Sequence, residues 1–122
     1  MSFDLHAFPP SGPRTVAEVH QLLEAEEQRL LSGAGDVLPP PGPEMARFLG
    51  ELERQWPSLV EDPDGSPWAN CPLWFPVMGG GTAFGIRWSR ADEMRKAILE
   101  IAARTNVIIY DRQIPEVISP PG

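Results

Sequence analysis

One cysteine and one lysine occur in the whole chain of 122 residues. Cys71 alone excludes an internal disulfide and any Cys-x-x-Cys site. With it, His6 and His20 are the only soft or imidazole ligands, and no two are closely spaced. Structural zinc needs four such ligands at short intervals, so no metal site and no cofactor are expected. No apolar run approaches the ~18–20 residues of a membrane-spanning helix. Residues 1–10 carry neither a basic nor an extended apolar stretch, so no signal peptide is expected and a cytoplasmic location follows. Sustained basic character is absent as well, which disfavours a nucleic-acid binder that tracks phosphates. No G-x-S-x-G nucleophile turn is present.

What remains is an ordinary globular composition with excess proline. Hydrophobic residues make up 42% and charged residues 22%, so disorder throughout is not expected. Fifteen prolines and 11 glycines imply long connections. The length suits a single domain, residues 1–122, with Pro-rich loops near 33–43 and 57–72 and a frayed tail at 119–122. The net charge is −7 and it is uneven: residues 1–65 carry −8 and residues 66–122 carry +1. An acidic half of this kind suits a basic protein partner or simply solubility.

Residues 2–8 alternate as a strand, with Phe3, Leu5 and Ala7 on one side and Asp4, His6 and Phe8 on the other. Residues 15–31 read as a helix opened by a capping box, Thr15 with Glu18, and closed at Gly33. Its stripe contains Val16, Val19, Leu22, Leu23, Leu30 and Leu31. A second helix starts at Pro43 and presents Met45, Phe48, Leu49, Leu52 and Trp56 before Pro57 ends it. Asp62-Pro63-Asp64-Gly65 is a turn signature. Residues 73–78 and 82–88 form a predicted hairpin across Gly79-Gly80-Gly81, with Pro76 confining the first strand to an edge. Ser89 with Asp92 is the expected cap of a third helix, and Asn106 its left-handed end. A strand over 107–111 follows, apolar enough to be central or well covered, with a short extension at 114–119.

The resulting order, β-α-α-β-β-α-β, is a split β-α-β pattern. It predicts a ferredoxin-like α+β sandwich with a four-stranded antiparallel sheet and its helices on one face.

Two glycine- and acid-rich segments invite functional readings that their context removes. Gly79-Gly80-Gly81 is followed by a strand rather than by a helix, and no GK[ST] follows it, so a hairpin turn explains it better than a phosphate cradle. Glu61, Asp62 and Asp64 lack the closing Glu of a calcium loop. The weak catalytic candidates are Asp4 and His6, two apart on one strand. Arg87, Tyr110 and Asp111 approach from other strands. In such a set Asp4 orients His6 as a base, Arg87 holds an anionic group and Tyr110 donates a hydrogen bond. Four tryptophans are many for this length, and Trp68 and Trp74 in the Pro-rich stretch serve as anchors at a binding surface or as a lid over the core.

Ser2-Phe3-Asp4-Leu5, Ile86-Arg87-Trp88-Ser89 and Tyr110-Asp111-Arg112-Gln113 followed by Val117 resemble a set of small uncharacterised bacterial proteins common in actinobacteria. These begin with a similar S-[FY]-D-L strand. The resemblance implies a bacterial cytoplasmic protein, supplies no activity, and directs attention to Asp4 and Asp111.

Two functions follow as expectations. The first is a non-catalytic protein-interaction module, immunity-like or regulatory, that binds a basic partner through Glu24, Glu26, Glu27, Glu51 and Glu53 with Trp68 and Trp74. The second is a small enzyme or ligand-binding domain that uses the open sheet face around Asp4, His6, Arg87 and Tyr110. A monomer or a homodimer paired along the edge strand fits either. Neither involves nucleic acid or membrane.

Overall fold

The computed structural model describes residues 2–33 and 38–120. Part of the expected loop at 33–43, and Pro121 and Gly122 of the expected frayed tail, lie outside the described residues. The elements are β1 (Ser2–Phe8), α1 (Val16–Leu31), α2 (Pro43–Gln55), β2 (Pro76–Val77), β3 (Gly81–Arg87), α3 (Ala91–Thr105), β4 (Ile108–Asp111) and β5 (Glu116–Ile118). They make a mixed α+β fold with three helices and one antiparallel sheet of order β2-β3-β1-β4-β5.

β1 is the middle strand. It pairs antiparallel with β3 (Leu5 opposite Phe84, His6 opposite Ala83) and with β4 (Leu5 opposite Asp111, His6 opposite Tyr110). The period-2 pattern therefore sorts these strands into two faces. Phe3, Leu5, Ala7, Phe84, Ile86 and Ile109 point one way and are buried against Met45, Phe48, Leu49 and Leu52 of α2 and Met94, Ile98 and Ile101 of α3. Each fully buried side chain of this size stabilises by roughly 1.5–3 kcal/mol, so this face is the main core.

Phe8, Ile108 and Tyr110 point the other way and pack with Val19 of α1 and Val77. The expectation of all helices on one face is thus corrected: α1 covers the opposite face. The reason lies in β4, whose successive Ile108, Ile109 and Tyr110 are all buried. A strand apolar on both sides must be covered on both sides. The sheet also has five strands rather than four, because 114–119 turns back and pairs Val117 with Tyr110.

Thr15 caps α1 and Glu18 reaches back to it, to the hydroxyl rather than to the backbone N–H. Thr15 Oγ1 accepts from the Glu18 N–H at 3.1 Å, and the Glu18 carboxylate accepts from the hydroxyl at 3.0 Å. Gly33 takes the left-handed conformation beyond the helix end, as Asn106 does for α3. Ser89 does not cap α3. It lies within a 3-10 turn, Trp88–Arg90, one residue too early, and the cap is Arg90, whose guanidinium pairs with Glu93. Asp92 and Glu93 in the first turn suit the positive end of the helix dipole.

The predicted first hairpin strand shrinks to two residues. Pro76 cannot donate to the ladder. The rest of that edge of β3 is taken by residues 67–70: Ala69 N–H donates to the Gly85 carbonyl and Arg87 N–H to the Pro67 carbonyl, both at 2.9 Å. The buried Thr82 hydroxyl takes the Phe75 N–H and donates to the Leu73 carbonyl, each at 2.8 Å. Gly79 and Gly80, at φ of 88° and 76°, supply the positive-φ turn.

Candidate functional site

Because α1 covers only the end of its face near Phe8, Ile108 and Tyr110, the rest of that face is open. On it β3 carries only Ala83 and Gly85, opposite His6 and Asp4. These small residues leave a hollow in the sheet surface. A pocket of about 560 Å³ occupies it, walled by Asp4 and His6 of β1, Asn70, Phe75 and Arg112. That volume falls within the ~300–1,000 Å³ typical of small-molecule sites.

His6 forms part of the lining and is only 5% exposed. Its ring stacks parallel to Phe8, with centroids 6.2 Å apart, and lies beside Tyr110 at 6.0 Å. Burial depresses its pKa to about 4, the Arg112 guanidinium adds to the effect, and the Asp4 carboxylate opposes it. His6 is therefore neutral at pH 7. Its Nδ1 is sealed from solvent and has no hydrogen-bond partner. A buried polar atom left in this state costs about 1–3 kcal/mol unless something pairs with it.

Asp4 is fixed by a side chain acting as backbone. The Gln113 amide accepts from the Asp4 N–H at 2.6 Å and donates to the Asp4 carbonyl at 2.9 Å. It thereby continues the ladder one step past the Leu5–Asp111 pair, where the chain itself turns away. Asp111 holds Gln113 in turn, accepting from its N–H at 3.0 Å and its side-chain amide at 2.8 Å, and accepts from Arg95 Nε at 2.7 Å. Burial pushes the Asp111 carboxyl up, but the donors from Arg95 and Gln113 outweigh that and hold it below the usual range. Across the pocket, Asn70 Oδ1 accepts from the Gly85 N–H at 2.5 Å, and Nδ2 donates to the Pro72 carbonyl at 3.2 Å.

The structure brings together Asp4 and His6, sets Tyr110 opposite His6 across the β1–β4 pair, and separates Arg87 and Asp111 from them. Arg87 turns outward, its guanidinium donating to the carbonyls of Pro63 and Asp64. Tyr110 is buried beneath α1, with its hydroxyl 3.2 Å from His20 Nε2. Asp111 points to the opposite face, toward α3, because it stands opposite Leu5. Asp4 does not hold the His6 Nδ1.

The acidic candidates are also divided. Glu24, Glu26 and Glu27 ride on α1 and Glu51 and Glu53 on α2, helices on opposite faces of the sheet. Glu26 is not a surface acid. It is 8% exposed, clamped by Arg29 at 2.6 Å, and accepts the Met78 N–H at 3.1 Å. The Arg29 hydrogen bond lowers its pKa against the opposing effect of burial. Glu51 pairs with Arg104 at 2.8 Å. Trp68 is buried in the core and Trp74 is half-buried against it. Cys71 is exposed.

Reading the sequence singled out Asp4 and His6, and Phe75 as an aromatic of the Pro-rich stretch, but missed Asn70, Arg112 and Gln113. The signal available for the hollow was Gly85 flanked by Ala83 on the polar side of a strand. Among the described residues there is no group of three or more His, Cys, Asp or Glu able to hold a metal, and no helix long and apolar enough to cross a membrane.

Fold and site together define a small α+β domain with a half-covered sheet and a polar pocket on its open part. No protein-family model, curated protein or solved structure matches the chain.

Proposed function

We propose that this chain is a non-catalytic binding module, and that the pocket around His6 takes a small zwitterionic molecule. The single observation behind this reading is His6: a neutral, buried imidazole with an unpartnered nitrogen, in the wall of a pocket of about 560 Å³. Asp4 and Arg112 place opposite charges in the same lining, and the exposed Phe75 offers a ring beside them. None of the lining residues is Ser, Thr or Cys.

The division of the acidic residues between two faces removes the main support for one continuous surface toward a basic protein, which is why the ligand reading is preferred. The order β2-β3-β1-β4 supports a ferredoxin-like core, to which β5 is an addition and α1 a displaced helix. The shrinkage of the expected edge strand to Pro76–Val77 leaves little ladder on that edge and supports a monomer over a dimer paired there. A bacterial cytoplasmic setting belongs to the same reading and rests on the sequence resemblance.

The test is thermal unfolding in the presence of each free amino acid and of simple betaines. A ligand at a hundred times its Kd adds ~2.7 kcal/mol of stability, a shift of several degrees. That shift should vanish in Arg112→Gln and in His6→Gln. If no zwitterion raises the midpoint of the unaltered protein, the proposal fails.

A further inference from the structure

A second hollow lies around the end of α2, on the far side of Asn70. It measures about 170 Å³ and is lined by Glu53, Trp56, Glu61, Trp68 and Cys71 among others. This is room for one side chain rather than for a drug-sized molecule, which needs ~300 Å³ or more. Three independent features bear on its occupant.

The first is charge. Glu53 and Glu61 both line the hollow, and neither is in an ion pair among the described residues. Trp56 is the C-cap of α2, so the negative end of that helix dipole adds to the same field. The second is aromatic. The half-buried Trp56 ring stands edge-on to Trp68, with centroids 6.1 Å apart. Indole is the best ring for a cation. The third is an unmet donor. Trp68 is 1% exposed, and its indole N–H finds no acceptor. A cation alone leaves that donor unpaired. The occupant must bring an acceptor as well.

We propose that this cleft binds an arginine or lysine side chain of a peptide segment. The cation sits between Glu53 and Glu61 beside Trp56, and a neighbouring main-chain carbonyl accepts from the Trp68 N–H. The partner is thus a basic protein held through one anchoring residue, on a surface distinct from the zwitterion pocket.

The probe is N-acetyl-arginine methylamide, compared with N-acetyl-norleucine methylamide, which keeps the carbonyls and lacks the charge. The readout is the set of four tryptophan indole N–H resonances. Trp56→Phe, Trp74→Phe and Trp88→Phe assign three of them and leave Trp68 by elimination, without altering the buried ring. The arginine probe should move the Trp68 resonance saturably, and norleucine should not. Glu53→Gln/Glu61→Gln replaces two exposed or rim carboxylates and should weaken binding about tenfold, while Arg112→Gln leaves it unchanged. Occupancy should also slow alkylation of Cys71 by iodoacetamide. A Trp68 resonance that stays fixed, equal response to both probes, or undiminished binding in the double variant would each overturn the assignment.

Discussion

The two faces of the sheet are built from the same strands and behave differently. Against α2 and α3 the surface is apolar from Phe3 to Ile109 and sealed. Against α1 it is sealed only at one end, and the remainder is a polar hollow floored by small residues. The difference comes from the side chains on alternate positions of β1 and β3. Where β1 offers Leu5 and Ala7 and β3 offers Phe84 and Ile86, helices can close down. Where the same strands offer Asp4, His6, Ala83 and Gly85, no apolar cover forms. One face accounts for the fold and the other is free to carry a ligand.

The largest expected contrast is in core deletion. Phe48→Ala, on the sealed face, should lower stability by about 3–5 kcal/mol in denaturant unfolding. Leu22→Ala, half-buried on α1, should cost roughly 1 kcal/mol, since less apolar surface returns to water. Equal losses would mean that the two faces contribute alike.

Next comes pH. The folded pKa of His6 is about 4 against an ordinary 6.5. Between those values the unfolded chain binds the extra proton, so stability should fall as pH drops from 6.5 toward 4. It should lose on the order of 3 kcal/mol across that window. His6→Gln should flatten this stretch of the profile. Below it, the lowered pKa of Asp111 adds its own loss as acid neutralises the partner of Arg95.

A smaller effect is expected at Gln113. Its replacement by Ala removes both bonds to the Asp4 backbone and should cost about 1–3 kcal/mol. Hydrogen exchange at the Asp4 amide should rise more than at Leu5. The smallest effect is Thr15→Ala, which removes the α1 cap for ~1 kcal/mol. It should leave the exchange of the α2 and α3 amides unaltered if the faces are independent.

Much of this architecture is legible in the residues. The β1 alternation, the α2 spacing, the Thr15–Glu18 cap, the two-glycine turn and Asn106 each rest on local rules that tertiary context does not oppose. The side on which α1 packs was not legible from α1 itself. It follows from β4, where three consecutive apolar residues require cover on both faces. For the site, period 2 was enough to join Asp4 with His6. It was not enough for Asp111, because placing a residue of another strand needs the register, and Leu5 opposite Asp111 sends that carboxylate to the wrong side. Asn70 and Arg112 come from turns, whose direction no periodicity encodes. Glu26 looks like any other acid of its helix until the hairpin turn brings Met78 N–H against it.

Gln113 gives the sheet a rung made of side chain. The main chain is released there, and β5 can turn back only because something else completes the pairing with Asp4. Asparagine is one carbon too short to reach both groups, and glutamate is isosteric but has no proton to give the Asp4 carbonyl. A substitution that looks conservative on paper would therefore unfasten a strand, and a position outside every regular element dictates where the central strand can begin to carry its charged residue.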